Sequence, residues 1–115
     1  LTLPGTDLFG SGSAALTRDA RRLVTAIGRA LDGLAGPITV AGHTDSVPIR
    51  TLRFPSNWHL SQARAQAVVD LLSAHVQPAT RLRAEGRADL EPVADNGTAA
   101  GRARNRRIEI ELRAL

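Results

Sequence analysis

The chain contains no cysteine, no methionine, no lysine and no tyrosine, and its aromatic side chains are two phenylalanines and one tryptophan in 115 residues. The missing cysteine excludes disulfides, thiolate metal ligands and a cysteine nucleophile together, and leaves the redox compartment open. With Phe9, Phe54 and Trp58 as the only large rings, no stacking platform for single-stranded nucleic acid can be assembled. Every apolar run falls far short of the ~20 residues that span a bilayer, and no charged-then-apolar leader is present. The sequence reads as a soluble unit over residues 1–115, long enough to bury roughly two-thirds of the surface its unfolded chain exposes. It begins at Leu1 rather than Met, so localisation is not read from its ends.

What is abundant is arginine. All 15 basic residues are Arg, against 11 acids, for a net charge of +4. Guanidinium groups offer planar, bidentate donors suited to carboxylate or phosphate, so the balance favours an anionic partner. It does not by itself choose one.

Periodicity supplies the fold. LTLPG opens as a short edge strand and turn, and FGSGSA follows as a loop. From Ser13, a plausible N-cap, Leu16, Ala20, Leu23, Val24, Ile27, Ala30, Leu31 and Leu34 recur at three- and four-residue steps. They predict an amphipathic helix stopped by Gly33, Gly36 and Pro37. ITVAGHTD reads as a buried strand ending near Asp45, and SVPIRTLRFPS as a loop held open by Pro48 and Pro55. NWHLSQARAQAVVDLLSAHV predicts a second helix capped by Ser56 or Asn57, with Leu60, Ala63, Ala67, Leu71 and Ala74 as its apolar stripe, widened by Val68 and Leu72. RLRAEG is the third strand. RADLEPVADNGTAAGRA is a long irregular connection with one helical turn around Thr98 to Ala103. In NRRIEIEL, Ile108, Ile110 and Leu112 share one face and Arg107, Glu109 and Glu111 the other. The expected architecture is an α/β (α+β) two-layer sandwich of βαβαβ-β order, with the helices packed on one face of a small mixed sheet.

In such sheets ligands tend to sit beyond the carboxyl end of a parallel strand, beside the following helix. His43, Thr44 and Asp45 occupy that position. Asn57, Ser61 and Arg64 form a polar ridge at i, i+4 and i+7 through the first turns of the second helix. The parity of the last strand sets Arg106 in the apolar-facing register, toward the helices, and points Arg107 away. One carboxylate and two guanidiniums then surround a site suited to a zwitterion, with Asp45 accepting an ammonium and an Arg clamping a carboxylate. An internal Asp45–Arg64 ion pair that fixes loop to helix is the competing reading, and spacing leaves both open.

Other patterns carry less. His43, Asp45 and Ser61 are the residue types of a hydrolase triad, but there is no GxSxG elbow and Ser61 lies within a helix. The reading is therefore not an enzyme, with no catalytic residues. His43, His59 and His75 lack ligand spacing, so no metal and no cofactor is expected. Phe54 and Trp58 flank Pro55, where packing of the loop is the leading reading. FGSGSA resembles an anion cradle but is better explained as turn and cap. GRARNRR runs straight into an alternating strand and reads as structural rather than as a nucleic-acid patch.

The strings GHTD, SNWHLSQARAQAV and GRARNRRIEI appear in this order and resemble the OmpA C-terminal-like family, the peptidoglycan-binding domain of outer-membrane proteins, Pal lipoproteins and the stator protein MotB. The resemblance spans nearly the whole chain. PIRTLRFPSNW, with Val47, Pro48 and Ile49 where Pal carries a short glycine-containing loop, is most similar to the periplasmic extension of type VI secretion anchors of the TssL/DotU kind. MotB is the runner-up. The resemblance implies an OmpA-C-like fold and non-covalent binding of the diaminopimelate of the peptide stem. Asp45 and Arg64 would hold it, with Thr44, Asn57, Leu60 and Ser61 in the matching neighbourhood and Arg106 as the Arg of the NRR motif. It further implies a fragment of a longer inner-membrane-anchored protein in a Gram-negative periplasm. Its expected partners are peptidoglycan, other membrane subunits of the secretion complex and a second copy of the chain, with nucleic acid excluded. A scaffold or dimerisation domain without wall binding is the remaining alternative.

Overall fold

The computed structural model describes residues 1–113; Ala114 and Leu115, the end of the unit expected over 1–115, lie outside the described residues. The elements run β1 (Thr2–Pro4), α1 (Gly5–Leu8), α2 (Arg18–Asp32), β2 (Ile38–His43), α3 (Asn57–Leu72), β3 (Leu82–Gly86), α4 (Ala99–Asn105) and β4 (Arg107–Leu112), with a 3-10 turn at Ala79–Arg81 before β3. The sheet order is β1-β4-β2-β3, parallel between β2 and β3 and antiparallel elsewhere. This is the small mixed sheet under packed helices that the periodicity predicts.

Helices α2, α3 and α4 each begin where a hydroxyl can satisfy an orphan backbone donor. Thr17 Oγ1 accepts from Ala20 N at the start of α2, Ser56 Oγ from His59 N at α3, and Thr98 Oγ1 from Gly101 N at α4. The first of these corrects the expected start of α2: Ser13 does not cap it. Leu16 is instead drawn into an isolated bridge with Phe9, and the helix starts one residue after Thr17.

The core lies between the helices and one sheet face, where Ile38, Val40, Ile108 and Ile110 meet Ala20, Val24, Leu31, Ala65, Val68 and Leu72. The buried face of α3 is rotated from the expected stripe. Ser61, Arg64, Ala65 and Val69 are buried, whereas Ala63, Ala67 and Leu71 are half-buried and Ala74 is exposed. Glycine sets this rotation, because a Cβ on Gly42 would lie 2.3 Å from the Ser61 carbonyl oxygen and one on Gly86 would lie 2.7 Å from Gln62 N. The α3 backbone therefore rests directly on β2 and β3 at Ser61 and Gln62.

The opposite sheet face is not simply open. Arg107 points away from the helices as its parity requires, yet it is only 5% exposed, because the connection from β3 to α4 folds back over it. Its Nη2 donates to the Glu91 carbonyl at 2.8 Å and its Nη1 to the Asn105 carbonyl at 3.1 Å. Asn105, fully buried, clips the same connection by accepting from Val93 N and Ala94 N and donating to Ala94 O and Asn96 Oδ1. One helical turn was expected in this connection; the structure has two, in α4.

Candidate functional site

A cleft of about 670 Å³ opens at the carboxyl end of β2. Its walls come from four separated segments: α1 and the FGSGSA loop, the loop after β2, the first two turns of α3, and α4 with its C-cap Arg106. Thr44, Asp45, Asn57, Leu60, Arg64 and Arg106 all line it. The parallel β2–β3 pair aims Thr44 and Asp45 at this end, and α3 returns alongside, so residues 12 to 61 positions apart meet.

Asp45 is 8% exposed and holds two ends of the site. Its Oδ2 accepts from Arg106 Nη1 at 2.5 Å, and its Oδ1 accepts from Val47 N at 3.0 Å, an Asx turn that shapes the following loop. Asn57 closes that loop from the helix side: its Nδ2 donates to the Val47 carbonyl at 3.1 Å and its Oδ1 accepts from Ile49 N at 3.1 Å. Thr44 Oγ1 donates to the Asp45 carbonyl, and Thr44 N to the Ala88 carbonyl. The loop that resembles the longer family variant is thus pinned by the same side chains that face the cleft.

Arg64 does not pair with Asp45, and the internal Asp45–Arg64 bridge weighed above is not formed. Its Nε donates to the Ser13 carbonyl at 2.8 Å and its Nη2 to the Gly10 carbonyl at 3.2 Å, while its guanidinium carbon stands 4.9 Å from the centre of the Phe9 ring. Burial, then the neighbouring charge of Arg106, push the Arg64 guanidinium below the ordinary arginine pKa, with Asp45 pulling the other way. Three of its polar hydrogens are left without a protein acceptor among the described residues, which suits a bidentate anion.

Ser61 departs from the expected set. It is 1% exposed and does not line the cleft; its hydroxyl donates to the Trp58 carbonyl and accepts from Ala88 N. It fastens α3 to the segment after β3. Arg106 lines the cleft from the residue before β4 rather than from within the strand. Phe54 is buried in the loop, whereas Trp58 is half-exposed with its ring edge against His59.

Arg102, part of the GRARNRR run expected to be structural, is the charged lining residue missing from the expected site. It lies one turn before Arg106, whose N–H bonds to the Arg102 carbonyl, and its Nη1 donates to the Asn96 carbonyl at 3.0 Å. The i, i+4 spacing would have linked the two arginines had the helix been drawn through to Asn105.

His43, next to the site on the opposite face, is 3% exposed. Its Nε2 lies 3.4 Å from Glu109 Oε1, but neither ring nitrogen makes a hydrogen bond among the described residues. Burial, then Arg107, lower its pKa, while Glu109 and Glu91 oppose the shift. Among the described residues no group of three or more His, Asp or Glu side chains is placed to hold a metal ion, and no helix is long and apolar enough to cross a membrane.

The model of the OmpA family matches residues 8–106. Among curated proteins, the uncharacterized protein YtxE of Bacillus subtilis is 40% identical over 98% of this chain and 47% of its own length. Motility protein B of the same organism is 37% identical over 96% of this chain and 43% of its own. The chain thus spans about half the length of these relatives. Among solved structures, the cell wall anchor of the T6SS from Pseudomonas aeruginosa is 53% identical, covers 99% of this chain and 80% of that one, and superposes with a TM-score of 0.93. The periplasmic domain of Helicobacter pylori MotB, residues 78–256, is 30% identical over 95% of this chain and 71% of its own, with a TM-score of 0.85.

Proposed function

The chain belongs to the OmpA family, and from that premise we propose that it binds peptidoglycan non-covalently through the diaminopimelate of the peptide stem, anchoring a type VI secretion membrane complex to the cell wall. The observation that carries the reading is the cleft beyond β2, where Asp45, Arg64 and Arg106 stand together. The free end of diaminopimelate bears an ammonium and a carboxylate on one carbon. Asp45 keeps accepting capacity on both oxygens for the ammonium, and Arg64, already oriented by the Gly10 and Ser13 carbonyls, presents its remaining N–H groups to the carboxylate. Leu60 and Asn57 would flank the aliphatic part, and Thr44 sits at the strand end. Recognition by this set needs no bond to be made or broken.

The likeness to a structure described as a T6SS cell wall anchor supports the secretion role. It also supports a periplasmic location, with the other membrane subunits of that complex as partners. Similarity to Motility protein B supports a flagellar wall anchor as second reading. Arg64 also bonds to two loop carbonyls, which favours a scaffold role if wall binding is absent.

The test is co-sedimentation of the purified chain with insoluble peptidoglycan sacculi, with wild type beside Asp45→Ala and Arg64→Ala and thermal melts of all three. Wild type is expected in the pellet and both folded variants in the supernatant. Wild type remaining in the supernatant would overturn wall binding and leave the scaffold reading.

A further inference from the structure

Three guanidinium groups, those of Arg64, Arg102 and Arg106, line the cleft beside a single carboxylate, Asp45. That carboxylate is engaged by Arg106. Among the described residues Arg64 and Arg102 instead donate only to uncharged carbonyls, of Gly10 and Ser13 for the first and of Asn96 for the second. Neither meets a carboxylate within salt-bridge distance among the described residues. A ligand carbon carrying one ammonium and one carboxylate is neutral, so its binding would leave this cationic excess as it was. An additional carboxylate on the ligand would offset part of that excess.

Arg102 is placed to receive it. The N–H of Arg106 bonds to the Arg102 carbonyl at 3.1 Å, so both side chains leave one face of α4. The helix is held at its start by Thr98 and at its end by the buried Asn105. Arg102 is half-buried, and the bond from its Nη1 to the Asn96 carbonyl orients the guanidinium while leaving most of its donors without a protein acceptor among the described residues.

We infer that Arg102 forms a second carboxylate subsite of this cleft, so that the chain selects stem peptides bearing a free carboxylate besides the zwitterionic carbon and discriminates against amidated ones. The inference rests on the wall-binding reading above. Two groups of a stem peptide supply such a carboxylate: the α-carboxyl of its isoglutamate and its chain-terminal carboxyl.

The experiment is calorimetric titration of the chain with three soluble muropeptides of the same sequence. One has every carboxylate free, one is amidated at isoglutamate and one is amidated at the terminus. Wild type is expected to bind the free-acid form and to bind one of the amidated forms about tenfold more weakly. Arg102→Ala is expected to lose a similar factor toward the free-acid form and nothing further toward that amidated form. The amidated ligands test the subsite without any variant, so an unstable Arg102→Ala does not blunt the result. Equal binding of all three muropeptides by wild type would overturn the subsite while leaving wall binding intact. So would an Arg102→Ala loss of the same size toward all three ligands, which marks a structural role. No binding of the free-acid form by wild type would overturn the wall-binding reading and the subsite with it.

Discussion

Arg106 Nη1 meets Asp45 Oδ2 at 2.5 Å and so ties the start of β4 to the loop after β2 across 61 residues of sequence. The Arg106 side chain is 33% exposed and that of Asp45 12%, which puts the pair at the cleft wall with water on one side. Solvent screening then limits its worth. Asp45→Ala and Arg106→Ala are each expected to lower unfolding stability by about 1–2 kcal/mol, with a coupling of about 1 kcal/mol in the double-mutant cycle. Urea unfolding measures both. A loss of ~3–5 kcal/mol for either single variant would instead mark a fully buried structural pair.

Arg64 holds the FGSGSA loop by its carbonyls. Arg64→Ala is expected to cost about 2–3 kcal/mol, from two charge-assisted hydrogen bonds and the contact over Phe9, partly offset by hydration of the freed carbonyls. The local signature is faster amide exchange at Ser13 and Ala15, whose N–H groups bond within that loop. Unchanged exchange there would show that Arg64 is not what orders it.

Gly42→Ala places a Cβ 2.3 Å from the Ser61 carbonyl, a backbone atom that cannot swing aside. The variant is expected to lose more than about 3 kcal/mol or to fail to fold. Gly10→Ala, whose nearest neighbour would be the Ser13 Cβ at 3.8 Å, is expected to stay within about 0.5 kcal/mol of wild type. Melting temperatures of the two variants separate these outcomes.

His43 couples stability to pH. It is faced by Arg107 and Glu109 from β4 and by Arg87 and Glu91 from the connection, and its folded pKa lies below the ordinary 6.5. Between the folded and the unfolded value the unfolded chain binds more protons, so stability present above about pH 6.5 falls as the solution is acidified toward the folded pKa. A single group gives a slope of at most about 1.4 kcal/mol per pH unit. Urea midpoints followed from about pH 8 down to pH 5 should fall in wild type and fall less in His43→Gln. Equal slopes would remove His43 as the source.

Element types were legible because periodicity reports burial: Ile38 and Val40 in β2, and Ile108 and Ile110 in β4, do face the core. The rotation of α3 was not, since counting alanines as core gave Ala63 and Ala74 weight that packing gives to Ser61 and Arg64. That choice depends on where Gly42 and Gly86 admit the helix backbone, a relation between residues distant in sequence. The cleft was legible in its charged members, Asp45, Arg64 and Arg106, but not in their pairing. Nor was Arg102, because the connection that positions it is ordered by Asn105 rather than by any local apolar pattern.

Leu1, bonded in both directions to Ile110, leads into the edge strand β1, which ends at Pro4 opposite Arg107, and the chain then turns at Gly5 into the cleft wall. A pull at Leu1 against something held in the cleft acts along the strand, at right angles to the hydrogen bonds that join it to β4. Those bonds are loaded together rather than one after another. The short edge strand resists such a pull in shear, and the same bonds would peel open singly under a force directed out of the sheet edge.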